Sequence, residues 1–285
     1  MTNEHVMACI DPSPFAAGVC DYASWAAARL AAPLTLLHAI HHRHADAGAR
    51  DLSGAIGLGS QEALLGELAE HDRQAAKLAM EHGRVLLEGA RQRVAGHAAV
   101  LSTRQVHGPL VDRLLELEPT IRLVIMGRRG RNADVANGHL ASNVERVVRA
   151  LHRPILVVPQ TFSQPRSFML AFDNGPSTRK ALEVLMRGPL FRGMHAHLVS
   201  VAAHGSPLDA AHAWARAQLE TAGFTVAGGV LSGDPDTALT TYQHDHRVDL
   251  TIMGAYGHSR IRRLLVGSTT TALLRQLDGP LLLLR

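Results

Sequence analysis

Few features of this chain suit a secreted, membrane-embedded or nucleic-acid-binding protein. It has 2 cysteines in 285 residues, too few for a disulfide framework. Cys9 falls in a predicted strand and Cys20 in a predicted helix. The longest apolar runs, such as Leu281 to Leu284, are far shorter than the roughly 20 residues that span a bilayer. The opening Met-Thr-Asn-Glu-His carries neither a basic region nor an apolar core, so no secretory signal is expected. A cytoplasmic location away from any membrane is the expectation. Aromatics make up 4% of the chain, and the formal charge of +4 comes from scattered arginines. No basic stripe with stacking aromatics is present, which argues against nucleic acid as a partner.

What the chain does have is a repeat. Val6-Met-Ala-Cys-Ile-Asp11 and Phe168-Met-Leu-Ala-Phe-Asp173 each read as an apolar strand ending in an Asp. A helical pattern follows each, Ala16 to Leu30 and Thr178 to about Met186. Leu34 to Ile40 matches His195 to Val201, Arg122 to Gly127 matches Asp249 to Gly254, and Pro154 to Val158 matches Pro280 to Leu284. Gly108-Pro109 and Gly233-Asp234-Pro235 each follow a third strand and lead into a helix, whose first turn tolerates proline. Five uninterrupted apolar strands alternating with helices, twice over, predict two tandem α/β domains of the doubly wound type, each a parallel sheet covered on both faces. The expected domains are 1–160 and 161–285, joined by a polar linker from Gln160 to Arg166. The first half alone carries an insertion from His41 to about Ser60 and a long helical run from Gln61 to Ala95.

The most informative stretch lies near the end. After the apolar run Leu250 to Met253 come Gly254 and Gly257, then Gly267-Ser268-Thr269 opening a helical pattern. Glycines let main-chain N–H groups approach a phosphate, and a helix start offers unpaired donors. The spacing is neither Walker A nor the Rossmann fingerprint. Singly, each position also suits an ordinary turn or helix cap. Together they resemble the G-x2-G-x9-G-[S/T] pattern of the universal stress protein family, and Gly254, Gly257, Gly267 and Ser268 fit it without a gap.

The resemblance covers essentially the whole chain and implies a strand order of 3-2-1-4-5 in each domain. It also implies binding of an adenine nucleotide, ATP with Mg2+, in the C-terminal half. Asp173 would lie against the adenosine and Ser200, with Val201, near the base. Gly254 and Gly257 would line ribose and phosphates, while Gly267, Ser268 and Thr269 would hold the phosphates. Arg260 is either a solvated loop residue or a phosphate partner. In the N-terminal half the matching positions are Asp11, Ala39, Gly127, Gly130 and Ser142. There Ala141 stands where the third glycine belongs, so that half is expected to bind weakly or not at all.

The family's last strand commonly pairs across a domain interface. The apolar last strands therefore suggest an internal pseudo-dimer and, as exposed edges, a homodimer of whole chains. No catalytic residue is assigned: Ser13, Ser268, Cys9 and Cys20 have no evident base, and weak ATP hydrolysis is the most expected. His41-His-Arg-His44 is read as a solvated loop, and His244 and His246 as surface residues, so no metal ligand is assigned. The alternatives are a slow ATP-hydrolysing enzyme, an association scaffold without nucleotide, and a metal-responsive module built on the 18 histidines.

Overall fold

The computed structural model describes residues 4–40, 58–96, 100–128, 142–203, 205–255, 277 and 279–285. The first half runs β1 (His5–Cys9), α1 (Ala16–Leu30), β2 (Leu34–Ile40), α2 (Leu58–Val94), β3 (Leu101–His107), α3 (Leu110–Leu117), β4 (Ile121–Gly127), α4 (Ser142–Ala150) and β5 (Ile155–Val158). The second runs β6 (Ser167–Ala171), α5 (Pro176–Arg187), β7 (His195–Val201), α6 (Pro207–Thr221), β8 (Val226–Ala227), β9 (Val230–Leu231), α7 (Pro235–Asp245), β10 (Leu250–Gly254) and β11 (Leu281–Leu284). Pro235 sits in the first turn of α7 behind a cap from Asp234, as expected, whereas Pro109 is the residue just before α3, with extended backbone. Pro207 takes the first turn of α6 behind a cap from Ser206. Among the described residues, no helix is long and apolar enough to cross a membrane.

The strand order is β3-β2-β1-β4-β5-β11-β10-β6-β7-β8, with β9 also on β7. Each half therefore has the order 3-2-1-4-5, and its own strands pair in parallel. The halves meet where β5 and β11 pair antiparallel, Leu282 opposite Leu156. Successive side chains point to opposite faces, and each face has its own core. Ala8, Leu156, Phe168, Leu198 and Leu282 belong to one cluster. Cys9, Val157, Met169, Val199 and Leu283 belong to the other. Both clusters run through both halves, so burial on either face welds the repeat into one body.

One detail departs from the sequence expectations and two extend them. The third strand of the second half is broken into β8 and β9, because Gly228 between them has φ +95. The segment 160–166 is docked on α1: Phe162 packs edge-on to Tyr22 at 4.7 Å, and Tyr22 donates to the Ser163 carbonyl at 3.2 Å. Gly18 of α1 lets this crossing pass, since a methyl there would lie 2.2 Å from the Pro159 oxygen. Finally, the last strands pair across the domain interface, as the resemblance implied, so the edges that also argued for a homodimer are occupied within the chain.

Further bonds cross the junction. Arg29 of α1 donates to the carbonyls of Leu190 and Arg192. Arg128 donates to the Gly279 carbonyl at 2.7 Å, and Arg285 to that of Arg149 at 2.5 Å.

Candidate functional site

In an open parallel sheet, ligands bind beyond the carboxyl ends of the strands where the strand order reverses. In the second half that point lies between β6 and β10, which pair directly. Asp173 follows β6 and is exposed. Its Oδ1 accepts the Gly175 N–H at 2.8 Å and the Thr178 hydroxyl at 2.6 Å. The intervening Asn174 turns the chain at φ 62, and its side-chain oxygen accepts from Arg179 Nε at 2.9 Å. One carboxylate oxygen therefore shapes the entry to α5. Oδ2 has no hydrogen-bond partner among the described residues.

Gly254 ends β10 against the same turn. A methyl there would come within 2.8 Å of Ser177 Cβ and 3.2 Å of Thr178 Cγ2. The Ser177 hydroxyl in turn donates to the Ala255 carbonyl at 3.4 Å. Gly254 and Asp173 are thus coupled through the first turn of α5: one presses on Thr178, the other is held by it. Thr178 carries no signal of its own in the sequence. Only the turn geometry reveals it.

Ser200 is buried at the end of β7, 1% exposed. Its hydroxyl donates to the Phe172 carbonyl at 2.7 Å and lies 2.9 Å from His212 Nδ1, and its N–H donates to Gly229 at 3.1 Å. The side chain is committed to the protein interior, so Ser200 reaches a ligand only through its main chain. Sequence reasoning missed His212, a histidine on the buried face of α6 that interior packing alone would explain. Gly257, Arg260, Gly267, Ser268 and Thr269 lie outside the described residues.

The first half repeats part of this corner. Asp11 Oδ1 accepts from the Ser13 hydroxyl at 2.5 Å, Ala39 pairs with Val106 near the end of β2, and Gly127 closes β4 opposite Val158. Ser142 opens α4. Gly130 and Ala141 lie outside the described residues, as do His41 and His44. His246 stacks on Tyr242 with centroids 3.9 Å apart, and His244 is exposed. Among the described residues, no group of three His, Cys, Asp or Glu is placed to hold a metal.

Neither cysteine is poised for chemistry. Burial, and then the Asp11 charge, push the Cys9 thiol up to about 12. Burial and Asp21 push Cys20 to about 11, against a smaller opposing effect of Arg93. Thiolates are the reactive form. Both cysteines should therefore resist a water-soluble disulfide reagent in the native protein near pH 8 and react fully after unfolding. Rapid native labelling of either would contradict this.

The model of the universal stress protein family matches residues 2–159 and again 166–285. A universal stress protein of Synechocystis sp. is 34% identical over 287 residues, covering 99% of this chain and 100% of that one. One from Mycobacterium tuberculosis is 28% identical over 156 residues, 52% of this chain and 48% of its own length. The crystal structure of a universal stress protein from Archaeoglobus fulgidus covers 100% of this chain and 97% of its own, with TM-score 0.72 and 15% identity; at that identity the likeness is one of fold. The repeat, the strand order in each half and these matches agree: the chain belongs to the universal stress protein family, with two of the family's domains in tandem.

Proposed function

We propose that the C-terminal half binds an adenine nucleotide, ATP with Mg2+, and that the protein acts in the cytoplasm as a ligand-dependent regulatory module of the stress response. The observation that supports this most is the half-used carboxylate at the reversal point. Asp173 is exposed, fixed through Oδ1, and has Oδ2 open to accept from a ribose hydroxyl or an adenine amino group. Residues 254–269 supply the matching phosphate pattern in the sequence, and Mg2+ would come with the phosphates. Gly257, Gly267, Ser268 and Thr269 would hold the phosphates, with Arg260 over them. Ser200 would meet the base through its main chain. Nucleotide binding would order the loop and change a surface that a partner reads, because a ligand shifts only states that it binds differently. Hydrolysis is at most slow.

The domains in this reading are 1–160 and 161–285, the first a partner with a degenerate loop. A homodimer of whole chains would use surfaces other than β5 and β11, which occupy each other; sedimentation of the purified chain decides whether one forms.

Asp173→Asn is the informative variant. It keeps an acceptor for Gly175 and Thr178 but turns Oδ2 into a donor. ATP affinity by calorimetry should fall about tenfold to hundredfold, the scale of a hydrogen bond to a charged group, with little change in thermal stability. Unchanged affinity would overturn the assignment. Nucleotide released on denaturing fresh protein should amount to one per chain. Two would overturn the view of the N-terminal half, and none, with no calorimetric binding, would leave the association scaffold.

A further inference from the structure

The buried pair behind Ser200 is the strongest feature that the nucleotide reading does not absorb. His212 is 6% exposed, and its Nε2 is buried with no hydrogen-bond partner among the described residues. The protons around it can be counted. Ser200 has a single hydroxyl proton, and donation to Phe172 at 2.7 Å uses it. The 2.9 Å contact to His212 must then be Nδ1–H donating to Ser200 Oγ. The ring is therefore the neutral Nδ1–H tautomer, with a bare lone pair on Nε2. Phe172 directly precedes Asp173, so the chain His212–Ser200–Phe172 fixes the strand end from which Asp173 leaves.

We propose that His212 is a positioning residue for the nucleotide site: its neutral ring holds α6 to Ser200 at the end of β7, and a proton added to the acceptor-less Nε2 drives the ring out of this buried place, so acidification loosens the site and releases the ligand. The proposal rests on the nucleotide reading above. A second proton must go to Nε2, where it finds no acceptor and little water. The neighbouring charges are few. On α6 itself, Arg216 opposes the charged ring and Asp209 favours it less strongly, while burial opposes it most and holds its pKa below the usual histidine range. α5 packs against α6. There Arg179 is bonded to Asn174 and lies over the Trp214 ring, Lys180 donates to the Arg285 carbonyl, and Glu183 and Arg187 are exposed. His195 and His197 of β7 alternate with Ser200 and project from the opposite face. β8 carries no titratable side chain.

The test is the ratio of ATP affinities near pH 8 and near pH 5 in the wild type and in His212→Asn. Asparagine offers an N–H at about the place of Nδ1 but does not titrate. Protonation of ATP itself is common to both proteins and cancels. The wild-type ratio should exceed that of His212→Asn, with affinity down about twofold where the pH equals the pKa of the ring in the free protein and falling about tenfold per pH unit below it. In parallel, 15N spectra of histidine-labelled wild type should show His212 as the Nδ1–H tautomer, titrating below about 6.5, the ordinary value. Equal ratios, the opposite tautomer, or ordinary titration would each overturn the proposal. If His212→Asn fails to fold, the tautomer and titration in the wild type decide it. If the wild type binds no ATP near pH 8, the nucleotide reading itself fails. If it binds and the ratios coincide, His212 alone is wrong.

Discussion

Gly254→Val is expected to lower ATP affinity by about tenfold to hundredfold, the scale of a hydrogen bond to a charged group, and to cost about 1–3 kcal/mol of stability through overpacking. Even a methyl at this position meets Ser177 Cβ at 2.8 Å and Thr178 Cγ2 at 3.2 Å. These neighbours belong to the first turn of α5 and cannot swing away as a flexible side chain would. The turn must move off β10, and Thr178 carries the hydroxyl that holds Asp173. β10 itself should persist, since valine suits a buried strand. Calorimetry with ATP and a urea midpoint separate the two effects. Wild-type affinity in a folded Gly254→Val protein would show that the ligand lies elsewhere.

Gly228→Ala should be the most destabilising Gly→Ala change among the described residues of the second half, at about 3 kcal/mol or more. A side chain at positive φ costs about 1–2 kcal/mol, and φ here is +95. The new methyl would also sit 2.3 Å from the Leu198 carbonyl oxygen and 3.0 Å from its carbon, main-chain atoms held in the sheet. Gly223 is the control: φ is +89, yet a methyl there would meet nothing within 4 Å, so Gly223→Ala should cost only about 1–2 kcal/mol. Gly228 matters for the site as well. Its carbonyl and that of Val226 accept from Arg216 at 2.8 Å each, and Gly229 accepts the Ser200 N–H. Equal losses for the two glycine variants in denaturant unfolding would remove the close-approach argument.

Much of the architecture was legible in the residues. Leu34–Ile40, His195–Val201 and Ala16–Leu30 were read with the same ends that the structure has, because uninterrupted apolar runs and the breaks around them are local signals. The split of β8 from β9 was not read, although the Gly228-Gly229 pair inside Val226 to Leu231 is a local break signal; the approach of Leu198 reveals why Gly228 stands there. The docking of the linker was not legible: Phe162 sits in a polar stretch, and Tyr22, which it packs against, is far away in sequence.

The site divides in the same way. Asp173 and Gly254 stand out because one ends a strand and the other opens a repeated glycine pattern. Thr178 and His212 do not, since a threonine in a first helical turn and a histidine on an apolar face are ordinary. Their roles come from single bonds of 2.6 Å and 2.9 Å to residues already singled out.

The residues alone settled the duplication, the strand–helix alternation and the family, because strand and helix periods, turn glycines and fixed spacings are written along the chain. Tertiary structure alone decided the antiparallel register of β5 on β11, that Arg128 bridges the halves, and that Ser200 faces a histidine rather than solvent. Those outcomes depend on which distant groups share one buried space, and satisfying hydrogen bonds and packing there is a property of the whole fold.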